Sequence, residues 1–143
     1  RGMAYTATDA KELDITDKAA VDKFFDENKP ELVYHCAAYT AVDKAEDEGR
    51  ELDEKINVDG TKNVAEAAAR VGATLVYIST DYVFDGQIEC KYKETDITAP
   101  QSVYGRTKLC QLAKSGRLMH QKLLNLNMDG RNILVKKQLW LRV

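Results

Sequence analysis

Cysteine is scarce in this chain, and its three residues, Cys36, Cys90 and Cys110, stand far apart with no CxxC pair among them. An odd, scattered set builds neither a disulfide framework nor a thiolate metal centre, so the thiols read as buried or incidental. Histidine is as thin: His35 and His120 are widely separated, and no metal site is expected from them. Long apolar runs are missing too. "ATLVYIS" and "ELVYHCAAY" fall well below the ~20 residues of a membrane helix, and no charged-then-apolar leader precedes a cleavage site. These absences read as a cytoplasmic chain with no membrane partner. What is present, 44% hydrophobic and 31% charged residues over a length of 143, suits one globular domain with a real core and excludes disorder of the whole chain.

The net charge of -2 hides an asymmetry. Residues 1–109 carry 14 Lys/Arg against 22 Asp/Glu, whereas residues 110–143 carry 7 against 1. A basic tail of that kind can bind nucleic acid, but it lacks the aromatic interleaving or motif that would make the idea specific, and no nucleic-acid partner is expected.

Periodicity organises the acidic part. "MAYTATDA" alternates weakly and predicts a strand ending near Asp9. "DITDKAAVDKFFDENKP" predicts a helix with Thr16 as N-cap, Asp17 in its first turn, Val21, Phe24 and Phe25 on one face, and Pro30 beyond its end. "ELVYHCAA" is a continuous apolar run, as a strand covered on both sides would be, and "YTAVDKAEDEGRELDEK" after it turns polar and helical. "INVDGTKNVAEAAARVGA" continues as a helix, with Val58, Thr61, Val64, Ala65, Ala68 and Val71 along one side and Gly72 placed to stop it. "TLVYIST" is the most strand-like run in the chain, and the Gly, Pro and Asp of residues 81–101 mark a long loop before "SVYGRTKL". Strands alternating with helices predict a parallel α/β sheet with helices on both faces. Ligands of such sheets sit outside the carboxyl ends of the strands. Asp9, "AAYT" at 37–40 and "STDY" at 79–82 fall on that rim.

Tyr104 and Lys108 share a helical face one turn apart. A phenol of pKa ~10 is a poor acid at neutral pH, but a nearby ammonium favours the tyrosinate and lowers that value. Thr80, at a strand end, offers a hydroxyl to the same reacting oxygen. The three together suit carbonyl reduction with hydride from a cofactor. Taken alone, Tyr104 and Lys108 also fit a solvated helix face, Thr80 a strand end, and Asp9 and Asp14 turn and cap positions.

As a set, "HCAAYTAVDKAEDE", "INVDGTKNVA", "LVYISTDYVFDG" and "SVYGRTK" resemble the extended short-chain dehydrogenase/reductase family, and within it the dTDP-4-dehydrorhamnose reductases, over roughly residues 5–109. The resemblance implies a Rossmann-like doubly wound parallel sheet and reduction of the 4-keto group of dTDP-4-dehydro-L-rhamnose, a dTDP-4-keto-6-deoxy sugar nucleotide, by NADPH or NADH. It implies Tyr104 as proton donor, Lys108 as the group that lowers its pKa and holds the nicotinamide ribose, and Thr80 as the group that orients the keto oxygen. Asp9 would lie near the adenosine ribose, Asp14 and Ile15 beside the adenine, and Ala37, Ala38, Tyr39 and Thr40 under the pyrophosphate and ribose. Asp81 and Tyr82 would face the sugar nucleotide. Asn57 matches a family asparagine that supports the fold and an active-site water.

Two departures accompany the likeness. Family members open with a strand and a GxxGxxG turn that receives the pyrophosphate. This sequence has no such turn and reads as an incomplete fold that starts at the second strand, ~30 residues in by analogy with the usual unit. After Leu109 the family pattern stops, so residues 1–109 read as a partial NAD(P)-binding Rossmann domain and residues 110–143 as a basic tail without the sugar-nucleotide domain, carrying a helix from Gln111 to about Leu126 and a short strand at "NILV". The alternative is a non-catalytic binding or regulatory module, similar to the regulatory subunit of methionine adenosyltransferase. A homodimer stays open.

Overall fold

The computed structural model describes residues 5–87, 91–93 and 95–114. Helix α1 spans Lys18–Asn28, and its cap is Asp17, whose carboxylate accepts from the backbone N–H groups of Ala19 and Ala20 at 2.9 and 3.1 Å. Thr16 was the expected cap. Its hydroxyl and its N–H instead both donate to Asp14 Oδ1 at 2.8 Å, which leaves the next residue to satisfy the helix N–H groups. Lys29, at φ 40°, closes the helix before Pro30.

Strand β1, Leu32–His35, pairs in parallel with β2, Thr74–Tyr77, in a register that sets Val33 opposite Leu75 and His35 opposite Tyr77. Among the described residues these two strands make the sheet. One face of β1 is open: Tyr34 is 57% and Leu32 39% exposed, so the expectation of a strand covered on both sides fails for this face. Residues 5–9, the described part of the expected first strand, have no ladder partner and form no strand. Asp9 instead turns the chain, accepting from the N–H groups of Lys11 and Glu12 through Oδ1.

The single helix expected over residues 39–55 is two short ones, α2 (Val42–Ala45) and α3 (Arg50–Asp53). Gly49 makes the break, its N–H bonding back to Lys44 O at 2.7 Å. Only glycine fits here, because a Cβ would lie 2.9 Å from that same carbonyl and collide with the Tyr39 hydroxyl. From α3 the chain runs on through a π-helical segment, Glu54–Gly60, into α4, Thr61–Val71. Gly72, at φ 75°, stops α4 in the left-handed region, as its position predicts.

The core lies between α1, α4 and the Val33/Leu75 face of the sheet. Val21, Phe25, Val64, Ala67, Ala68, Ala73 and Leu75 are its buried members, with Phe24, Ala65 and Val71 against them. The alanines let α4 come close to the strands. Outside the core, Arg70 clamps α4 to α1 through Asp22 at 2.6 Å and Asp26 at 3.0 Å. After β2 a single 3-10 turn, Asp81–Val83, starts the long loop, and α5 follows at Val103–Lys114. The first residues of the expected tail helix are the end of α5. Its remainder, the "NILV" strand, Cys90 and His120 lie outside the described residues. No helix among the described residues is long and apolar enough to cross a membrane.

Candidate active site

Helix α5 is held at its start by groups far from it in sequence. Glu46, just after α2, accepts from the Val103 N–H at 2.7 Å, and the Ser102 hydroxyl accepts from the Gly105 N–H at 3.0 Å. A carboxylate at this end also meets the positive pole of the helix dipole. Val103 and Tyr104 pack with Ala45, Tyr39 and Val42 in a second apolar cluster. Tyr104 is thereby 9% exposed and Lys108, one turn on, 3%. They are not a solvated helix face.

Lys108 reaches across to β2. Its ammonium donates to Ile78 O at 2.7 Å and lies 4.2 Å from the centroid of the Tyr77 ring. Burial pulls its pKa down to about 8, while the Asp53 carboxylate pulls the other way. Thr80 was expected at a strand end, but β2 stops at Tyr77 and Thr80 instead caps the 3-10 turn that follows, its hydroxyl accepting from the Tyr82 N–H at 3.3 Å and lying 3.2 Å from Asp81 Oδ1. The Tyr82 ring stands edge-on to Tyr104, centroids 5.8 Å apart. The Tyr104 phenol is pushed up by burial, with hydrogen bonding to the Thr80 side chain pulling it back. The lowered phenol expected from a neighbouring ammonium is thus not what this arrangement produces: desolvation outweighs the other influences, and the ammonium is turned toward Ile78 O. The structure nevertheless brings Thr80, Asp81, Tyr82, Tyr104 and Lys108 to the carboxyl end of β2.

Beneath them lies a buried polar network that periodicity did not reveal. Asp53, fully buried, accepts from Asn57 Nδ2 at 2.6 Å and from the Thr107 hydroxyl at 2.6 Å. Asn57 also exchanges a pair of bonds with the backbone of Tyr39, accepting from its N–H at 2.9 Å and donating to its carbonyl at 3.1 Å. One asparagine therefore ties the segment after β1 to the π-helical turn, and one aspartate ties that turn to α5. The available sequence signal was the Asp53/Asn57 spacing of four, hidden in an acidic run that reads as a solvated face. His35 is a separate buried polar group, its Nε2 2.9 Å from the Thr61 hydroxyl and its pKa held down at about 4 by burial and the Lys108 charge.

The residues expected to hold a dinucleotide divide into two groups. Ala37 and Thr40 are exposed and Ala38 and Tyr39 half-buried where the chain leaves β1, and no side chain longer than a methyl guards the backbone at 37 and 38. That approachable backbone fits a pyrophosphate. Next to it, an open cleft of about 470 Å³ is lined by Thr40, Ala41, Val42, Asp43, Lys44 and Tyr82. Asp9 and Asp14, in contrast, are engaged in their own turns, and Ile15 packs against the core and against Gly60.

The chain has clear relatives. Residues 1–111 match the family model described as the RmlD substrate binding domain. The dTDP-4-dehydrorhamnose reductase of Streptomyces griseus is 47% identical over 108 residues, covering 76% of this chain and 35% of that protein. The dTDP-4-dehydrorhamnose reductase of Bacillus anthracis, solved in complex with NADP, superposes with a TM-score of 0.71 at 46% identity, covering 74% of this chain and 38% of that one. Methionine adenosyltransferase 2 subunit beta of Pongo abelii is 41% identical over 99 residues, covering 69% of this chain and 29% of that protein. The chain spans about a third of the length of the curated relatives it matches. The parallel pair of strands with its helices is the corresponding part of a Rossmann-type α/β fold, and the chain belongs to the RmlD substrate binding domain family.

Proposed function

We propose that this chain carries the acid–base half of an NAD(P)H-dependent reductase whose substrate is dTDP-4-dehydro-L-rhamnose and whose product is dTDP-L-rhamnose. The observation that supports it best is the placement of the buried Tyr104 phenol against the Thr80 side chain, with Lys108 buried one turn behind. A reduced nicotinamide, when bound, would supply the hydride for the keto carbon. Tyr104 gives its phenol proton to the keto oxygen and takes one back from water afterwards. Thr80 directs that oxygen through its hydroxyl, and Lys108 places positive charge where the tyrosinate forms. Ala37, Ala38, Tyr39 and Thr40 would line the dinucleotide, with Asp9, Asp14 and Ile15 toward its adenosine end, and Asp81 and Tyr82 would meet the sugar nucleotide. The reading carries with it a cytoplasmic location.

The second reading, a binding module without turnover, is favoured by the likeness to the methionine adenosyltransferase subunit and by a phenol raised rather than lowered. Titration with NADPH, followed by fluorescence, and then addition of the 4-keto sugar nucleotide separates the two. Binding followed by NADPH oxidation is the expected result. Binding without oxidation supports the module, and absence of binding contradicts both.

A further inference from the structure

Tyr77 has no part in the proton transfer just described, yet it lies at the centre of the buried groups around Lys108. It sits on the last residue of β2, 4% exposed, and its hydroxyl makes no hydrogen bond to a described residue, although the Thr61 side chain is in its neighbourhood. The contacts that tie the residue to Lys108 and His35 are those of its ring. One face of that ring receives the Lys108 ammonium at 4.2 Å from the centroid. The His35 ring stands beside it, centroids 5.6 Å apart and tilted by 33°. The ammonium is thus held from two directions, by the ring face and by Ile78 O at 2.7 Å. An aromatic face attracts a desolvated cation through its quadrupole.

We infer that Tyr77 is a positioning residue that acts through Lys108: its ring face and the Ile78 carbonyl fix the ammonium at the carboxyl end of β2, on the residue one helical turn from Tyr104. This rests on the reading of Lys108 as the lysine that serves Tyr104. The charged and titratable groups that face the ammonium are Asp53 from α3, His35 of β1 and Cys36 just beyond it, and Tyr77 of β2. Asp53 and Cys36 favour the cation, whereas burial opposes it. His35 is neutral across the working range and adds no repulsion. The ring is therefore a neutral contact that stabilises the charged form.

NMR of the chain labelled with [13C,15N]-lysine tests the contact. The Lys108 resonance is assigned by its loss in Lys108→Arg. Its ε-methylene protons are expected upfield of the other lysines, over a ring face, with a titration midpoint below the ordinary lysine value and near the about 8 that burial imposes. Tyr77→Phe keeps both features. Tyr77→Leu loses the upfield shift, and the midpoint falls further by about half a unit to one and a half units. A purely structural role predicts the opposite sign, because a cavity that admits water would raise the midpoint. A Tyr77→Leu midpoint that stays or rises overturns the inference. So does an ordinary ε-methylene shift in the wild type, which decides the matter even if Tyr77→Leu does not fold. NADPH oxidation in Lys108→Met is read separately: full turnover there overturns the reading of Lys108, whereas the NMR result stands or falls on the contact alone.

Discussion

Thr107 donates its hydroxyl to Asp53 Oδ2 at 2.6 Å across 54 positions of sequence, and this bond anchors the helix that carries Tyr104 and Lys108. Both side chains are buried. Thr107→Val keeps the shape and deletes the donor, leaving a buried carboxylate one bond short. A loss of about 1–3 kcal/mol is expected in urea denaturation. Thr107→Ser, which restores the hydroxyl, recovers most of it.

Asp53 also has a pH signature. Its pKa is raised chiefly by burial, against the pull of Thr107 and Asn57. A carboxyl whose folded pKa lies above its unfolded value of 3.8 contributes stability below that value and loses it as the pH climbs through the folded pKa. Asp53→Asn removes this component, so the difference in urea midpoint between wild type and variant should move in the variant's favour as the pH rises from about 4 to about 7.

His35 slopes the other way. Its folded pKa of about 4 lies below the ordinary 6.5. Its contribution is present above that ordinary value and is lost as the pH falls toward about 4, as the unfolded chain takes up a proton that the buried ring refuses. His35→Gln keeps a group able to bond Thr61 and flattens the acid limb by about 2–3 kcal/mol. Unfolding free energies between about pH 4 and about pH 7 check it.

Gly105 sits where α5 presses on the 3-10 turn. A Cβ there would collide with the Tyr82 carbonyl and lie 3.1 Å from Pro100 Cβ, and a backbone carbonyl cannot swing aside. Gly105→Ala should destabilise the chain by about 1–3 kcal/mol. It should also separate Tyr82 from Tyr104, visible as a change in near-ultraviolet circular dichroism.

Much of this arrangement was legible before the structure. The Val21, Phe24 and Phe25 stripe, the stop at Gly72 and the four-residue spacing of Tyr104 and Lys108 are local features, and local periodicity reports them. What could not be read depends on residues far along the chain. "EGRELDEK" reads as a solvated acidic face, yet Asp53 within it is fully buried, because α5 arrives from more than fifty positions away and brings Thr107 to it. The break at Gly49 has the same origin, since Tyr39 occupies the space a side chain would need. The direction of the Tyr104 pKa was missed for a related reason: the spacing suggested the ammonium, but only the packing of Val103, Tyr39 and Val42 around the phenol reveals the desolvation that outweighs it.

The central claim is that Tyr104 is the proton donor to a sugar-nucleotide ketone. NADPH oxidation in the presence of dTDP-4-dehydro-L-rhamnose, measured for the wild type and for Tyr104→Phe, tests it most directly. The phenylalanine keeps the packing against Ala45 and Val103, so the fold and NADPH binding should persist while turnover falls by about 100-fold or more. Tyr104→Phe turning over at the wild-type rate would contradict the account.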